Sequence, residues 1–472
     1  MHSNKSKRKW GASLKLSEYI SGLKGKRIAV LGIGVSNTPL IELLLDNGCD
    51  VTAYDRTERA KLSQTVLELE KRGAKLSLGE DYLKALEADV IFRTPGLRPD
   101  LPEIKEAVVR GAILTSEMES FFDTCPCNII AVTGSDGKTT TTSIIAELLR
   151  EEGHTVHVGG NIGTPLLNKA GQMKTTDIAV LELSSFQLMT MEKSPSVAVV
   201  TNLSPNHLDM HRDMAEYVGA KRNIFLYQKP GDRLVLNLDN EITRGFKVEA
   251  KGETLYFSRQ CSTDHGVYLS DGVIYEASAG KAAPVMKAED ILLPGVHNVE
   301  NYMAALAACR GLVSLEAFRR VAERFTGVEH RIELVRTLRG VSYYNDSIAS
   351  SPSRTIAGLR SFTKKVILIA GGKDKGVPFD ELGPEIIGRV KTLVLTGLTA
   401  AKIRAAVESA SGYRGEPCII EKEDFREAVL AAHEAAKDGD IVILSPACTS
   451  FDRFKNFEER GNTFKEIIKD LS

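Results

Sequence analysis

The 472-residue chain is 43% hydrophobic and 26% charged, with a formal net charge of -1. At roughly 150 residues per domain this is material for about three domains, and the balanced charge removes any global electrostatic case for a nucleic-acid or membrane-surface partner. No apolar run approaches the ~20 residues of a membrane span, and no signal-peptide core follows the basic start NKSKRKW. Residues 1–20 therefore read as a tail, and seven cysteines without framework spacing point to a reducing cytoplasm.

KRIAVL (26–31) is a short apolar run that ends in Gly32-Ile33-Gly34 and leads into the helical pattern NTPLIELLLDNG and then CDVTAYD. Strand, glycine turn, helix, strand is the opening of a parallel α/β unit. ADVIFRTPG (88–96) repeats the theme, and a first domain over 21–125 closes at Cys125-Pro-Cys127. That C-x-C pair lacks a second Cys/His pair at zinc spacing and reads as a linker or strand start. NIIAVTG, TTDIAVLELSS and SVAVVTNLS are nearly continuous apolar runs, as expected of strands covered on both faces. They open a central domain over 126–330. A third, over 331–472, carries KKVILIAGG, VKTLVLTG and GDIVILSPA. Alternating strand and helix throughout predicts parallel, doubly wound sheets.

Chemistry concentrates at the ends of these strands. Gly134-Ser135-Asp136-Gly137-Lys138-Thr139-Thr140 lies between a strand and a helix, the recipe for a phosphate cradle with Lys138 on the phosphates and Thr139 on Mg²⁺. Its glycines are closer than in the general P-loop, and a threonine-capped turn is the alternative. Glu182 ends an apolar strand, at the edge where such folds bind ligands; a solvated loop carboxylate is the competing reading. Gly32-Ile33-Gly34-Val35-Ser36-Asn37 departs from a dinucleotide fingerprint at its third position, while Asp55 stands where a ribose or base is met. A nucleotide bound mainly by one diphosphate fits at least as well as NAD. His207 reads as a structural histidine or, beside a phosphate loop, as a metal ligand, with Asp209 and His211 nearby. Lys221 is awkward beside Mg²⁺: it points away, or it is converted to an anion.

In order, TGSDGKTT, LELSSFQL, TNLSPNHLD, HNVEN, HR (330–331) and YNDSIAS resemble the Mur ligase family, amide-forming ATP-dependent enzymes of peptidoglycan precursor synthesis. The match covers the chain after its tail. The resemblance implies three domains: an N-terminal Rossmann-like nucleotide-binding domain, a central P-loop ATPase-like domain and a C-terminal Rossmann-like domain. LSPACTSFDRFKNFEERG (444–461) is closest to the branch that joins D-glutamate to UDP-N-acetylmuramoyl-L-alanine. It further implies ATP held by the 134–140 loop, Asn298, Asn301, Arg331 and Asp346, and two magnesium ions ligated by Thr139, Glu182, His207 and a carbamylated Lys221. Lys138, His207, Lys221 and Arg331 would be catalytic. Val35, Ser36, Asn37, Asp55, Arg56, Thr94, Pro95, Gly96 and Asn161 would bind the UDP-substrate. Lys375, Ser350, Ser450 and Phe457 would bind D-glutamate, with Lys373 competing for the place of Lys375. The protein is expected to be a monomer. Asn206, Ile348 and Ser350 depart from the family pattern. A sibling ligase, a folylpolyglutamate-type synthetase, an NAD-dependent oxidoreductase and a non-catalytic nucleotide-binding module are the alternatives.

Overall fold

The structure is a computed structural model that describes residues 14–34, 37–205, 210–374 and 377–472. Val35, Ser36, Asn206, His207, Asp209 and Lys375 lie outside the described residues. Three sheets organise the chain. The first holds β1 (Arg27–Leu31), β2 (Asp50–Asp55), β3 (Lys75–Leu78), β4 (Val90–Arg93) and β5 (Ile113–Thr115) in the order 3-2-1-4-5, all parallel. The strand order reverses at β1, so the crevice beyond β1 and β4 is the switch point where such sheets take ligands.

The second sheet holds β6 (Asn128–Thr133), β7 (Val156–Gly160), β8 (Ile178–Glu182), β9 (Val197–Val200), β10 (Arg233–Asn237), β11 (Glu253–Ser258), β12 (Gly266–Ser270), β13 (Val273–Ser278) and β14 (Lys281–Lys287), in the order 14-13-12-11-10-9-6-8-7. The third holds β15 (Glu333–Leu338), β16 (Val341–Asn345), β17 (Val366–Ala370), β18 (Val390–Leu395), β19 (Cys418–Glu421) and β20 (Ile441–Leu444), in the order 15-16-20-17-18-19. β6 and β8 are wholly apolar and buried apart from Asn128, Thr133 and Glu182, which leaves both faces for helices to cover.

The chain divides into two compact units, one of residues up to Ala288 with Glu300–Val321, the other of Glu289–Val299 with Ala322–Ser472. In the first unit the two sheets share one apolar core, in which Val30, Phe92 and Phe121 join Ile129, Leu167 and Leu181. Asn298 thus belongs to the second unit and Asn301 to the first.

Two expectations are corrected. The tail does not extend to residue 20: Leu16–Ser21 is helical, Ile20 is buried, and the Tyr19 hydroxyl meets Ser120 Oγ at 2.7 Å. Nor are the sheets parallel throughout, since β12–β14 and the pair β15–β16 are antiparallel. The cause is local. Asp271-Gly272, Ala279-Gly280 and Arg339-Gly340 each place two successive residues at positive φ, the conformation that closes two-residue hairpins between right-twisted strands.

Gly371, after β17, has φ +120, and a Cβ there would lie 1.8 Å from the Thr396 carbonyl oxygen, whereas one on the helical Gly388 meets nothing within 4 Å. Gly371→Ala is therefore expected to lower the thermal midpoint by several degrees, a loss of about 2 kcal/mol or more. Gly388→Ala should hold or raise it. Thermal unfolding followed by circular dichroism checks both.

Candidate active site

The chain leaves β6 at Thr133, turns through Gly134–Gly137 and enters the helix Lys138–Glu151. Gly134 and Gly137 have φ of +151 and +77, and Cβ atoms there would lie 1.9 Å from Thr201 Oγ1 and 2.3 Å from Asn301 Oδ1. Only glycine fits at either place. The loop is pinned from the other side: the Ser135 amide donates to the Asn202 carbonyl at 2.8 Å and the Asp136 amide to Asn202 Oδ1 at 3.0 Å. The Ser135 hydroxyl meets the Ser204 carbonyl at 3.0 Å and the Tyr217 hydroxyl at 2.9 Å. A preset glycine loop on a helix amino end suits phosphate oxygens. Lys138 Nζ donates to the Ser135 carbonyl at 2.9 Å, across its own loop, and Thr140 follows half-buried on the first turn. Asn301 supports this turn and accepts from Thr141 Oγ1 at 3.1 Å.

Glu182 is buried, which rules out the solvated-carboxylate reading. Thr139 Oγ1 donates to its Oε2 at 2.6 Å and Asn161 Nδ2 to its Oε1 at 2.7 Å. Asn161 is brought there by Gly160, whose φ is +97 and whose absent Cβ would lie 2.1 Å from the Glu182 carbonyl oxygen. A hydroxyl, a carboxylate and an amide oxygen are hard donors, and this set fits Mg²⁺.

Lys221 lies on the helix Met214–Leu226 and is buried. It does not turn away from the loop: Nζ donates to the Gly134 carbonyl at 2.8 Å and to Thr133 Oγ1 at 3.2 Å, over the Tyr217 ring. Burial, and then the nearby Lys138 charge, push its pKa well below the ordinary lysine value against the pull of Glu182 and Asp136. The neutral amine so favoured is the form that attacks carbon dioxide. His211 is buried and occupied elsewhere: Nε2 meets Ser185 Oγ at 2.9 Å and the ring stacks on Phe186.

At the first sheet's switch point, Asp55 accepts from the Ile33 amide at 2.7 Å and the Thr57 amide at 2.8 Å. Burial works to raise its pKa, but these hydrogen bonds outweigh it and hold the carboxylate below its usual range. Asn37 is buried with Nδ2 donating to the Gly32 carbonyl at 2.9 Å, which explains a polar residue at the third fingerprint position. Both organise the glycine loop. Thr94 abuts Gly32, where a Cβ would lie 2.7 Å from Thr94 Cγ2, while Arg56 and Gly96 are exposed and Pro95 half-buried.

The second unit gathers the ends of β16, β17 and β20. Asp346 is buried and accepts from Ser445 Oγ at 2.7 Å. Burial pushes its pKa up to about 7, against that hydrogen bond and the Arg331 charge. Arg331 sits between His330 and Ile332, at φ of +62 and +46, a strained placement of the kind found at functional sites. Phe457 packs edge-on against His330, and its carbonyl accepts from Ser347 Oγ at 2.8 Å. Ser450 is buried, and Thr449 pairs with the backbone of Lys373. Ser350 lines a small cavity with Asp374, Phe379 and Cys448. Asn298 is buried, donating to the Pro294 carbonyl at 2.6 Å. Arg460 lies in the 444–461 segment without a role of its own assigned there; it is buried and ties Ser347 to the Cys448 carbonyl through bonds of 2.8 to 3.2 Å. Arg93, likewise without an assigned role, is buried beside Thr94.

Residues 132–309 match the family model described as Mur ligase middle domain, and residues 330–448 match Mur ligase, glutamate ligase domain. The UDP-N-acetylmuramoylalanine–D-glutamate ligase of Acetivibrio thermocellus is 55% identical over 461 residues, 97% of this chain and 99% of its own. The protein of that name in Ruminiclostridium cellulolyticum is 54% identical with the same coverage. Among solved structures, UDP-N-acetylmuramate-alanine ligase from Thermotoga maritima aligns with a TM-score of 0.57 at 18% identity, over 94% of this chain and 99% of that one. A UDP-N-acetylmuramoyl-L-alanyl-D-glutamate–2,6-diaminopimelate ligase aligns at 0.54 and 20% identity, over 99% and 98%. These two are likenesses of fold.

Asp346 binds its proton more tightly folded than unfolded, with a pKa raised from 3.8 to about 7. Stability should therefore fall as pH rises between these two values and level off above them. Asp346→Asn is expected to flatten that slope, as measured by denaturant unfolding across this pH range.

Proposed function

The chain belongs to the Mur ligase family, and from that premise we propose that it is an ATP-dependent ligase joining D-glutamate to the L-alanyl carboxylate of UDP-N-acetylmuramoyl-L-alanine. The observation that carries this reading is the 55% identity, over 97% of the chain, to a relative bearing that name. The buried Thr139–Glu182 pair beneath a preset phosphate loop supports it.

Amide formation from a carboxylate at neutral pH needs an activated acyl group. The alanyl carboxylate oxygen attacks the γ-phosphorus of ATP, ADP leaves, and the acyl phosphate takes up the amine of D-glutamate and expels phosphate. The 134–140 loop holds the phosphates, with Lys138 neutralising charge that builds in transfer. Magnesium supplies Lewis-acid charge neutralisation when bound, and Thr139, Glu182, His207 and Lys221 are its proposed ligands. A carbamate on Lys221 turns a misplaced cation into a carboxylate-like ligand. The lowered pKa of that amine and its burial beside the loop support the conversion.

His207 orients substrate or takes the proton of the attacking amine. Val35, Ser36, Asn37, Asp55, Arg56, Thr94, Pro95, Gly96 and Asn161 take the UDP-substrate, Asp55 and Asn37 by holding the glycine loop in shape. Arg331, Asp346 and Asn298 serve ATP, and Ser350, Ser450, Phe457 and Lys375 or Lys373 serve D-glutamate. Asn301 acts from beneath the phosphate loop. A first domain that ends at 125, further bounds at 126–330 and 331–472, a monomeric state and a cytoplasmic location complete the proposal. Among the described residues no helix is long and apolar enough to cross a membrane.

ADP release with MgATP and UDP-N-acetylmuramoyl-L-alanine tests the reading. Turnover should require D-glutamate and be absent with L-glutamate, L-lysine or meso-diaminopimelate; turnover with one of those instead makes the protein a sibling enzyme. Lys221→Ala should lose at least about a hundredfold in kcat and regain part of it with an added short-chain carboxylic acid. Near-normal turnover without the acid would show the carbamate role to be wrong.

A further inference from the structure

The loop after β4 is held at two points by arginines that none of the catalytic steps above employs. Arg93, the last residue of β4, is 2% exposed, and its hydrogen-bond acceptors are four carbonyls and one hydroxyl. Three of the carbonyls, those of Thr94, Pro95 and Leu97, belong to the loop itself, at 3.2, 3.1 and 2.6 Å. The other two acceptors are the Phe186 carbonyl at 3.0 Å and Thr190 Oγ1 at 3.3 Å, which lie just beyond Glu182. Glu119 attracts the Arg93 charge without hydrogen-bonding to it, so no carboxylate fixes the direction of the guanidinium. What its planar fork provides is geometry: one group fixes the curvature of the loop and fastens it to another segment.

Arg98 fastens the far end. Its guanidinium donates to both Glu216 oxygens at 3.1 and 2.8 Å, to both Asp100 oxygens at 2.8 and 3.0 Å, and to the Met210 carbonyl at 2.6 Å. Arg212 also pairs with Asp100, and its amide donates to Glu216 at 2.8 Å. Glu216 lies in the first turn of the helix that carries Lys221, with its own amide capped by Asp213 at 2.8 Å. The two attachments converge: Phe186, held by Arg93, stacks at 5.1 Å on His211, the residue after Met210, held by Arg98.

We propose that Arg93 and Arg98 are positioning residues for the UDP-bearing substrate, clamping the loop of Thr94, Pro95 and Gly96 onto the segments that carry Glu182 and Lys221. The inference rests on the reading in which that loop receives the UDP-substrate. It adds a reason for the loop to stay in register with the phosphate site: the alanyl carboxylate must meet the γ-phosphate while its UDP end is held by a different sheet.

The test is steady-state kinetics, with UDP-N-acetylmuramoyl-L-alanine and MgATP varied separately, and calorimetric binding of UDP-N-acetylmuramoyl-L-alanine alone. Arg98→Gln should raise KM and Kd for the UDP-substrate about tenfold and leave KM for MgATP within about twofold. Glu216→Gln should do the same. The double variant should be no worse than the worse single one, because both remove one shared interaction. Arg93→Lys keeps the charge but loses the fork, and it should show the same split. These variants are read alongside thermal midpoints, and the half-exposed Arg98–Glu216 pair decides the outcome if Arg93→Lys does not fold. Folded variants with an unchanged UDP-substrate KM and Kd, or with both KM values raised equally, overturn the clamp alone. A wild-type protein that neither binds nor turns over the UDP-substrate overturns the underlying reading and the clamp with it.

Discussion

One hydrogen bond, from Thr139 Oγ1 to Glu182 Oε2 at 2.6 Å, sets the distance between the phosphate loop and the end of the neighbouring strand. It requires the first turn of the helix Lys138–Glu151 to sit against β8, and that is possible because β6 and β8 pair in parallel with Val132 beside Glu182. The bare backbone at Gly134 and Gly160 lets Thr201 and the Glu182 carbonyl close in from either side. Different elements carry Asn161 to Glu182 and Lys221 to Thr133 and Gly134. The site is thus an outcome of strand register, with the carboxyl ends of adjacent parallel strands supplying it.

A second theme is the buried cation held by carbonyl oxygens. Arg93, Lys221 and Arg460 are each at most 2% exposed, and the acceptors of their hydrogen bonds are carbonyl and hydroxyl oxygens. Each pulls together loops distant in sequence, and burial lowers the pKa of all three, to about 10 for Arg460. For the two arginines the charge persists and the result is rigid loop geometry. For Lys221 the same burial leaves an amine able to lose its proton, the form that the proposed carbamate requires.

The parallel strands were legible because burial on both faces leaves runs such as IAVLE and VILIA almost without polar residues. The phosphate loop was legible because glycine is the residue type such a turn tolerates. Asp271-Gly272 between two alternating runs is a strong local hairpin signal, masked by the regular strand–helix alternation of the rest of the chain. The burial of Arg93 and Arg460, inside segments the sequence does single out, was not legible. An arginine at a strand end or in EERG reads as a surface charge, and its burial depends on carbonyls that distant segments turn inward. Asp55 was located from spacing and Asn37 through the family resemblance, but their engagement with the glycine loop's own backbone is a matter of tertiary geometry.

The central claim is that the alanyl carboxylate is activated by phosphorylation before the amine attacks. The direct measurement uses UDP-N-acetylmuramoyl-L-alanine with a heavy-oxygen label in its alanyl carboxylate, followed by mass analysis of the inorganic phosphate after turnover with MgATP and D-glutamate. An acyl phosphate requires one labelled carboxylate oxygen to leave with each phosphate formed. Phosphate free of label, beside a normally formed D-glutamyl product, would contradict the account.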